Sequence, residues 1–172
     1  MCKPSGLRLA LVVLALTAGS AAAQDDERTA VLAVMQQAFD AVRSQDPDDW
    51  RAIQLAEGTT LSFRPHPDGH PGRLEMRIAR NEAFVGGLAN DGHEYVERWT
   101  SEPTVLIRGP IAVVWGEYEF GIDGKFSHCG VDSADLVKVD GAWRIANFMW
   151  TVEKDRCPTD PSGRSSTVPR TP

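Results

Sequence analysis

The sequence predicts an α+β fold with its helices first and an antiparallel meander of strands last. Three observations carry this. Residues 25–44 place Val31, Val34, Met35, Ala38, Phe39 and Val42 at i, i+3, i+4, i+7 spacing, which is one apolar stripe of a helix. Residues 104–153 hold successive runs rich in Val, Ile, Phe, Tyr and Trp. Asp123-Gly124 and Asp140-Gly141 separate those runs. Asp-Gly supplies the positive φ angles of a two-residue type I′ hairpin.

Ahead of the first helix, Lys3 and Arg8 precede a short apolar run, and small residues follow, ending in Ala21-Ala22-Ala23. This is the pattern of a secretory signal peptide over residues 1–23, cut before Gln24. Its apolar core is too short to span a bilayer. Cys2 precedes that core and so is not placed like a lipoprotein cysteine. The expectation is a secreted or periplasmic protein with no membrane attachment after cleavage. One domain, residues 24–157, suits the remaining length. Residues 158–172 are rich in Pro, Ser and Thr and are expected to be a disordered tail. With 24 acidic against 18 basic residues the formal net charge is −6, and no basic cluster is interleaved with aromatics. Nucleic acid is therefore not an expected partner. Cys129 and Cys157 are the two cysteines after the leader. In an oxidising compartment such a pair tends to form a disulfide. Two separate thiols remain the alternative, because pairing follows from geometry.

In chain order, Asp46 is placed to cap a second helix, with Pro47 at its first position and an end near Ala56. Residues 59–63 read as a short strand. The loop HPDGHPG, 66–72, holds His66 and His70, but on no helix face and with no Cys or third His nearby, so no metal is expected. Arg64, Arg73, Arg77 and Arg80 lie around this loop; they could bind an anion, but a solvated charged edge is the preferred reading. Residues 81–88 predict a short helix with Asn81 as its cap. Strands are expected over 93–99, 104–107, 111–122, 126–139 and 143–152.

Two tight turns would set the register of the last three strands. Glu119 would then oppose His128, and Trp115 would oppose Asp132; Ala134 would oppose Asn147, and Asp132 would oppose Met149. With period-two alternation, one face would carry Trp115, Glu117, Glu119, His128, Asp132, Ile145, Asn147 and Met149. The opposite face would carry Tyr118, Phe120, Phe148 and Trp150. The first face is expected to line a helix-covered pocket, and the second to be covered by another copy of the chain. A single bulge would flip part of this assignment.

An amphipathic first helix, a helix opening DPDDW, WGEYEFGIDGKFSHCGVD and then LVKVDGAWRI together resemble the nuclear transport factor 2-like superfamily, which includes ketosteroid isomerase, SnoaL-like cyclases and scytalone dehydratase. Within it the chain looks like a secreted bacterial subgroup. The resemblance covers about residues 26–152. It implies a cone-shaped α+β barrel, with N-terminal helices packed in a curved antiparallel sheet around a deep pocket, and often a homodimer through the sheet. It also implies that Ile145, Asn147 and Met149 point inward. The isomerase's first-helix Tyr is absent, so that mechanism does not carry over. No cofactor is implied.

The main functional expectation is a binding module for a small hydrophobic molecule, with Trp115, Glu117, Asn147 and Met149 as ligand contacts. One alternative is an isomerase, dehydratase or cyclase. In it His128 would be the acid/base, and Asp132 or Glu119 would orient the imidazole and make it more basic. A further alternative is a non-catalytic dimerisation scaffold.

Overall fold

The structure, a computed structural model, describes residues 13–88, 90–154 and 157, with side chains from residue 23 onward. Of the expected leader, residues 1–12 lie outside the described residues, as does the whole expected tail, 158–172. Helix α1 (Val13–Ser44) is followed by α2 (Pro47–Ile53), β1 (Gln54–Pro65), β2 (Leu74–Arg80), α3 (Asn81–Gly86), β3 (Tyr95–Trp99), β4 (Thr104–Arg108), β5 (Ile111–Ile122), β6 (Lys125–Val139) and β7 (Ala142–Thr151). The sheet order is β2-β1-β7-β6-β5-β3, with β4 also paired to β5. It is an α+β cone: the sheet curves over the helices and stays open at its edges. The β1–β7 pairing is parallel, so the sheet is mixed where an antiparallel one was expected.

Local sequence accounts for most elements. The stripe on α1 is buried as the spacing requires, with Val31, Val34, Met35, Ala38 and Phe39 all in the core. Glu27 anchors that helix to the sheet, accepting from Lys138 Nζ at 2.5 Å and from Trp143 Nε1 at 2.8 Å. The Asp46 side chain caps α2 by accepting from the Asp48 amide at 2.9 Å. Both Asp-Gly turns form as expected, with φ of 51° and 71° at Asp123-Gly124 and 50° and 81° at Asp140-Gly141. Strand β2 had no counterpart in the sequence reading. Its Leu74, Met76 and Ile78 stay exposed, so it lacks a core-facing apolar stripe.

The register departs from the hand-folded one at two bulges. Ile122 pairs with Lys125 and Gly121 with Phe126, but Phe120 pairs with His128, so Ser127 is an extra residue in β6. Leu136 pairs with Ile145 but Asp135 with Asn147, so Ala146 is an extra residue in β7. Each bulge turns the far end of its strand pair over, because side chains alternate with period two. The faces assigned to β5 and to the second half of β7 are therefore exchanged. Tyr118, Phe120, Phe148 and Trp150 face inward, and Trp115, Glu117, Glu119, Asn147 and Met149 face outward.

Asn81 holds the second bulge. It does not cap α3; Arg80 occupies that position. Its fully buried side chain donates to the carbonyls of Leu55 (2.8 Å) and Ala146 (3.2 Å) and accepts from the Thr60 hydroxyl (2.9 Å). Gly58 lies against the same point, where a Cβ would collide with the Ala146 carbonyl. Buried carbonyls freed by irregular pairing must find donors, and one amide serves two of them.

Cys129 and Cys157 form a disulfide that ties the chain after β7 back to β6. For a separation of 28 residues the chain-entropy model gives about 3–4 kcal/mol.

Asn81→Ala removes the donor shared by two buried carbonyls. It is expected to lower stability by about 2–4 kcal/mol in urea unfolding.

Candidate functional site

The exchanged faces put a cavity of about 510 Å³ between the helices and the inner surface of the sheet. Two walls of rings enclose it. On one side Trp50 meets Phe84 (centroids 5.8 Å apart) and Phe148 (6.1 Å), and Trp150 meets Phe84 (6.0 Å) and Phe148 (5.6 Å). On the other, Tyr95 packs on Phe120 (5.6 Å), and Phe120 stacks on the His128 ring at 4.7 Å. Ala41 and Val42 of α1 close the space between them. The volume is typical of small-molecule pockets, which are mostly apolar with a few placed polar groups.

The polar floor is a pair of carboxyls. Glu97, on β3 between inward-facing Tyr95 and Trp99, lines the cavity and is 8 % exposed. Asp132, on β6, lies behind it at 1 % exposure. Burial pushes the Glu97 carboxyl up to about 8, an effect that contact with Asp132 partly offsets. Burial, and then the proximity of Glu97, push Asp132 well above the usual carboxylate range. Two acids this close in an apolar site cannot both ionise at neutral pH. Neither buried Asp132 oxygen has a hydrogen-bond partner among the described residues. Tyr118 stands beside both acids, and burial together with their charge raises its phenol. Its hydroxyl donates to the Thr151 carbonyl at 2.8 Å. The ring reaches that carbonyl by crossing Gly130, where a Cβ would lie 2.8 Å from Tyr118 Cε1.

His128 also lines the cavity. Burial first, then the positive charges of Lys154 and Arg64, lower its pKa to about 4, so the imidazole is neutral at physiological pH. Its Nδ1 lies 3.1 Å from the Ser127 hydroxyl.

The sequence-derived candidates divide. His128 and Asp132 share the inner face, but the acid that interacts with Asp132 is Glu97, and His128 takes Ser127 as its partner. Glu119 is on the outer face, bound by the Arg98 guanidinium, and cannot orient His128. Trp115 and Met149 are 48 % and 42 % exposed on the outer face, and Glu117 is exposed there too. Asn147, also outside, accepts from the Thr59 hydroxyl at 2.6 Å and donates to Asp135 at 3.2 Å. These four line the convex surface and not the cavity. Among the described residues no cluster of three or more His, Cys, Asp or Glu side chains is placed to hold a metal ion.

The sequence reading missed Glu97, which had a legible signal, because an acid between Tyr95 and Trp99 at period two shares their face. Arg64 is one of the four arginines read as able to bind an anion, but the preferred reading made it a solvated edge and did not place it in the cavity. In β1 the polar Thr60, Ser62 and Arg64 face inward, while Leu61 and Phe63 face out.

Two hundred and eleven chains of known structure resemble this one. A nuclear transport factor 2-like superfamily protein from Salmonella enterica serovar Typhimurium superposes with a TM-score of 0.59 at 14 % identity, over 80 % of this chain and 98 % of that one. The chain has the nuclear transport factor 2-like fold. A nuclear transport factor 2-like protein of unknown function from Silicibacter pomeroyi gives 0.54 at 16 % identity, over 76 % and 98 % of the two chains. The β subunit of a candidate aromatic-ring-hydroxylating dioxygenase from Novosphingobium aromaticivorans gives 0.61 at 9 % identity, over 80 % and 95 %. No protein-family profile and no curated protein sequence matches the chain. At these identities the likeness is one of fold, and the site must be argued from its own residues.

The buried acids make stability depend on pH. The folded pKa of Glu97 lies above its ordinary value, so its contribution is complete in acid and is lost as pH rises toward 8. Between pH 6.5 and 8, where His128 stays neutral, the melting temperature is expected to fall. One proton accounts for up to about 1.4 kcal/mol per pH unit. His93, raised by Asp123, slopes the same way, but Glu97→Gln leaves it untouched. That variant should reduce the slope in a series of thermal melts without abolishing it, because Asp132, raised first by its own burial, slopes the same way.

Proposed function

We propose that the protein binds a small, largely apolar molecule in the cone cavity, with protonated Glu97 donating a hydrogen bond to an oxygen on the ligand. The observation that carries this is the combination of two facing aromatic walls with one proton-bearing carboxyl that opens into the space between them. Such a site favours a flat ring system, because rings offer large contact area and stack on rings. An open cavity also weighs against a scaffold whose centre is simply filled.

A second reading is acid–base catalysis, as in an isomerase, dehydratase or cyclase. What favours it is the same Glu97, whose raised pKa would let it give and recover a proton near neutral pH. In this version Glu97, with Asp132 behind it, takes the part expected from the sequence for His128 with a carboxylate.

The protein is further proposed to be exported and to pair with a second copy. The Cys129–Cys157 bond suits an oxidising compartment. The outer sheet face carries one cross-strand row of Ile78, Leu61, Met149, Ser133 and Trp115. Beside it lie Met76 and Phe63, also exposed. An apolar band of this kind is usually covered.

Titration with the neutral probe 2-naphthol should quench fluorescence of Trp50 and Trp150 saturably, with a Kd of about 10–100 µM. Val42→Trp, which fills the space, should abolish the effect with the fold retained by circular dichroism; linear, unsaturable quenching would sink the binding reading. For the outer face, light scattering should give twice the chain mass for the wild type and the chain mass for Trp115→Glu. A monomeric wild type would remove the pairing proposal.

A further inference from the structure

Arg64 and Lys154 both line the cavity, and the positive charge of each acts on His128. Among the described residues six of the ten arginines are engaged by carboxylates. Arg64 is not. Its Nε is buried, and no described residue accepts a hydrogen bond from it. Glu75, which faces Arg64 across the β1–β2 pair, lies 3.1 Å from Arg77, and its buried Oε2 makes no hydrogen bond to Arg64 or to any other described residue. Glu153, next to Lys154, accepts from the Thr151 hydroxyl at 3.0 Å. Lys154 makes no ion pair with the described residues.

A buried guanidinium donor without an acceptor is costly. The cost is relieved when an anionic group enters and takes the planar N–H fork, the geometry for which Arg is suited. The cavity supplies the rest of the recognition. Its walls are aromatic, and its far polar group, Glu97, is an uncharged acid that would not repel an anion. The disulfide at Cys157 anchors the chain just beyond Lys154.

We infer that the ligand is an organic anion: a flat apolar body held between the aromatic walls, with a carboxylate-type group at the mouth paired with Arg64 and Lys154. This rests on the cavity-binding reading above and adds to it the charge and the polarity of entry, with the apolar end inward and the anionic end at the Arg64 corner.

The test compares 2-naphthoate with 2-naphthamide, which have the same ring system and nearly the same shape but differ in charge. Binding to the full chain is followed by calorimetry and tryptophan fluorescence at pH 7. Naphthoate is expected to bind at least tenfold more tightly than the amide. Arg64→Met and Lys154→Met should each weaken naphthoate at least fivefold while changing the amide less than twofold. Thermal melts of both variants control for folding, and Arg64→Lys should recover part of the loss. Equal affinity of the two probes, or equal weakening of both by Arg64→Met, would overturn the anion assignment and leave the cavity reading standing. Failure of both probes to saturate the wild type would remove both readings.

Discussion

The cavity depends on one extra residue in β7 and on the amide that holds it there. Ala146 interrupts the pairing of β7 with β6 and leaves a carbonyl out of the ladder; Asn81 donates to it. With that bulge in place, Trp143 and Ile145 face the core, and so do Phe148 and Trp150, although the two pairs differ in parity along the strand. Without it, Phe148 and Trp150 would turn to the convex surface and Asn147 and Met149 would enter the cone. The bulge at Ser127 acts in the same way on β5 relative to β6, and brings Phe120 against His128. Bulges also bend and twist strands. A curved sheet and an aromatic interior thus have one cause.

Within that interior the arrangement of charge follows from dielectric. Ions are expensive in a site lined by Trp, Phe and Tyr, so the groups inside it move toward their neutral forms. His128 loses its proton, and Glu97 and Asp132 keep theirs. Full charge survives where solvent is near, at Arg64 and Lys154. The cavity is therefore graded, uncharged but proton-bearing at its floor and cationic at its mouth. Both the binding and the acid–base readings draw on that gradient.

Several residues announced their place in the sequence. The α1 stripe, the Asp46 cap and the two Asp-Gly turns are local features, set by interactions within a few residues, and each formed as expected. The resemblance carried by DPDDW and VDGAWRI led to the right fold. His128 and Asp132 were correctly set on one face, because no bulge separates them on β6. The β7 bulge left a trace that could have been read. Large apolar residues fall at 143 and 145 and then at 148, 150 and 152, a change of phase that an unbroken strand does not make. Glu97 between Tyr95 and Trp99 was a similar trace. Arg64 could not be placed on the cavity side, since Leu61 and Phe63 made the opposite face of β1 look like the core.

The sequence by itself determined the helices, the hairpins and the class of fold, because those follow from capping, turn chemistry and hydrophobic period over short spans. The tertiary structure alone decided which strand faces form the cavity. That choice turns on two single-residue bulges, and one of them is held by Asn81, which is 65 residues away in sequence. It also decided that Glu97 meets Asp132 and that Arg64 and Lys154 line the same cavity, since these residues lie on elements far apart in sequence.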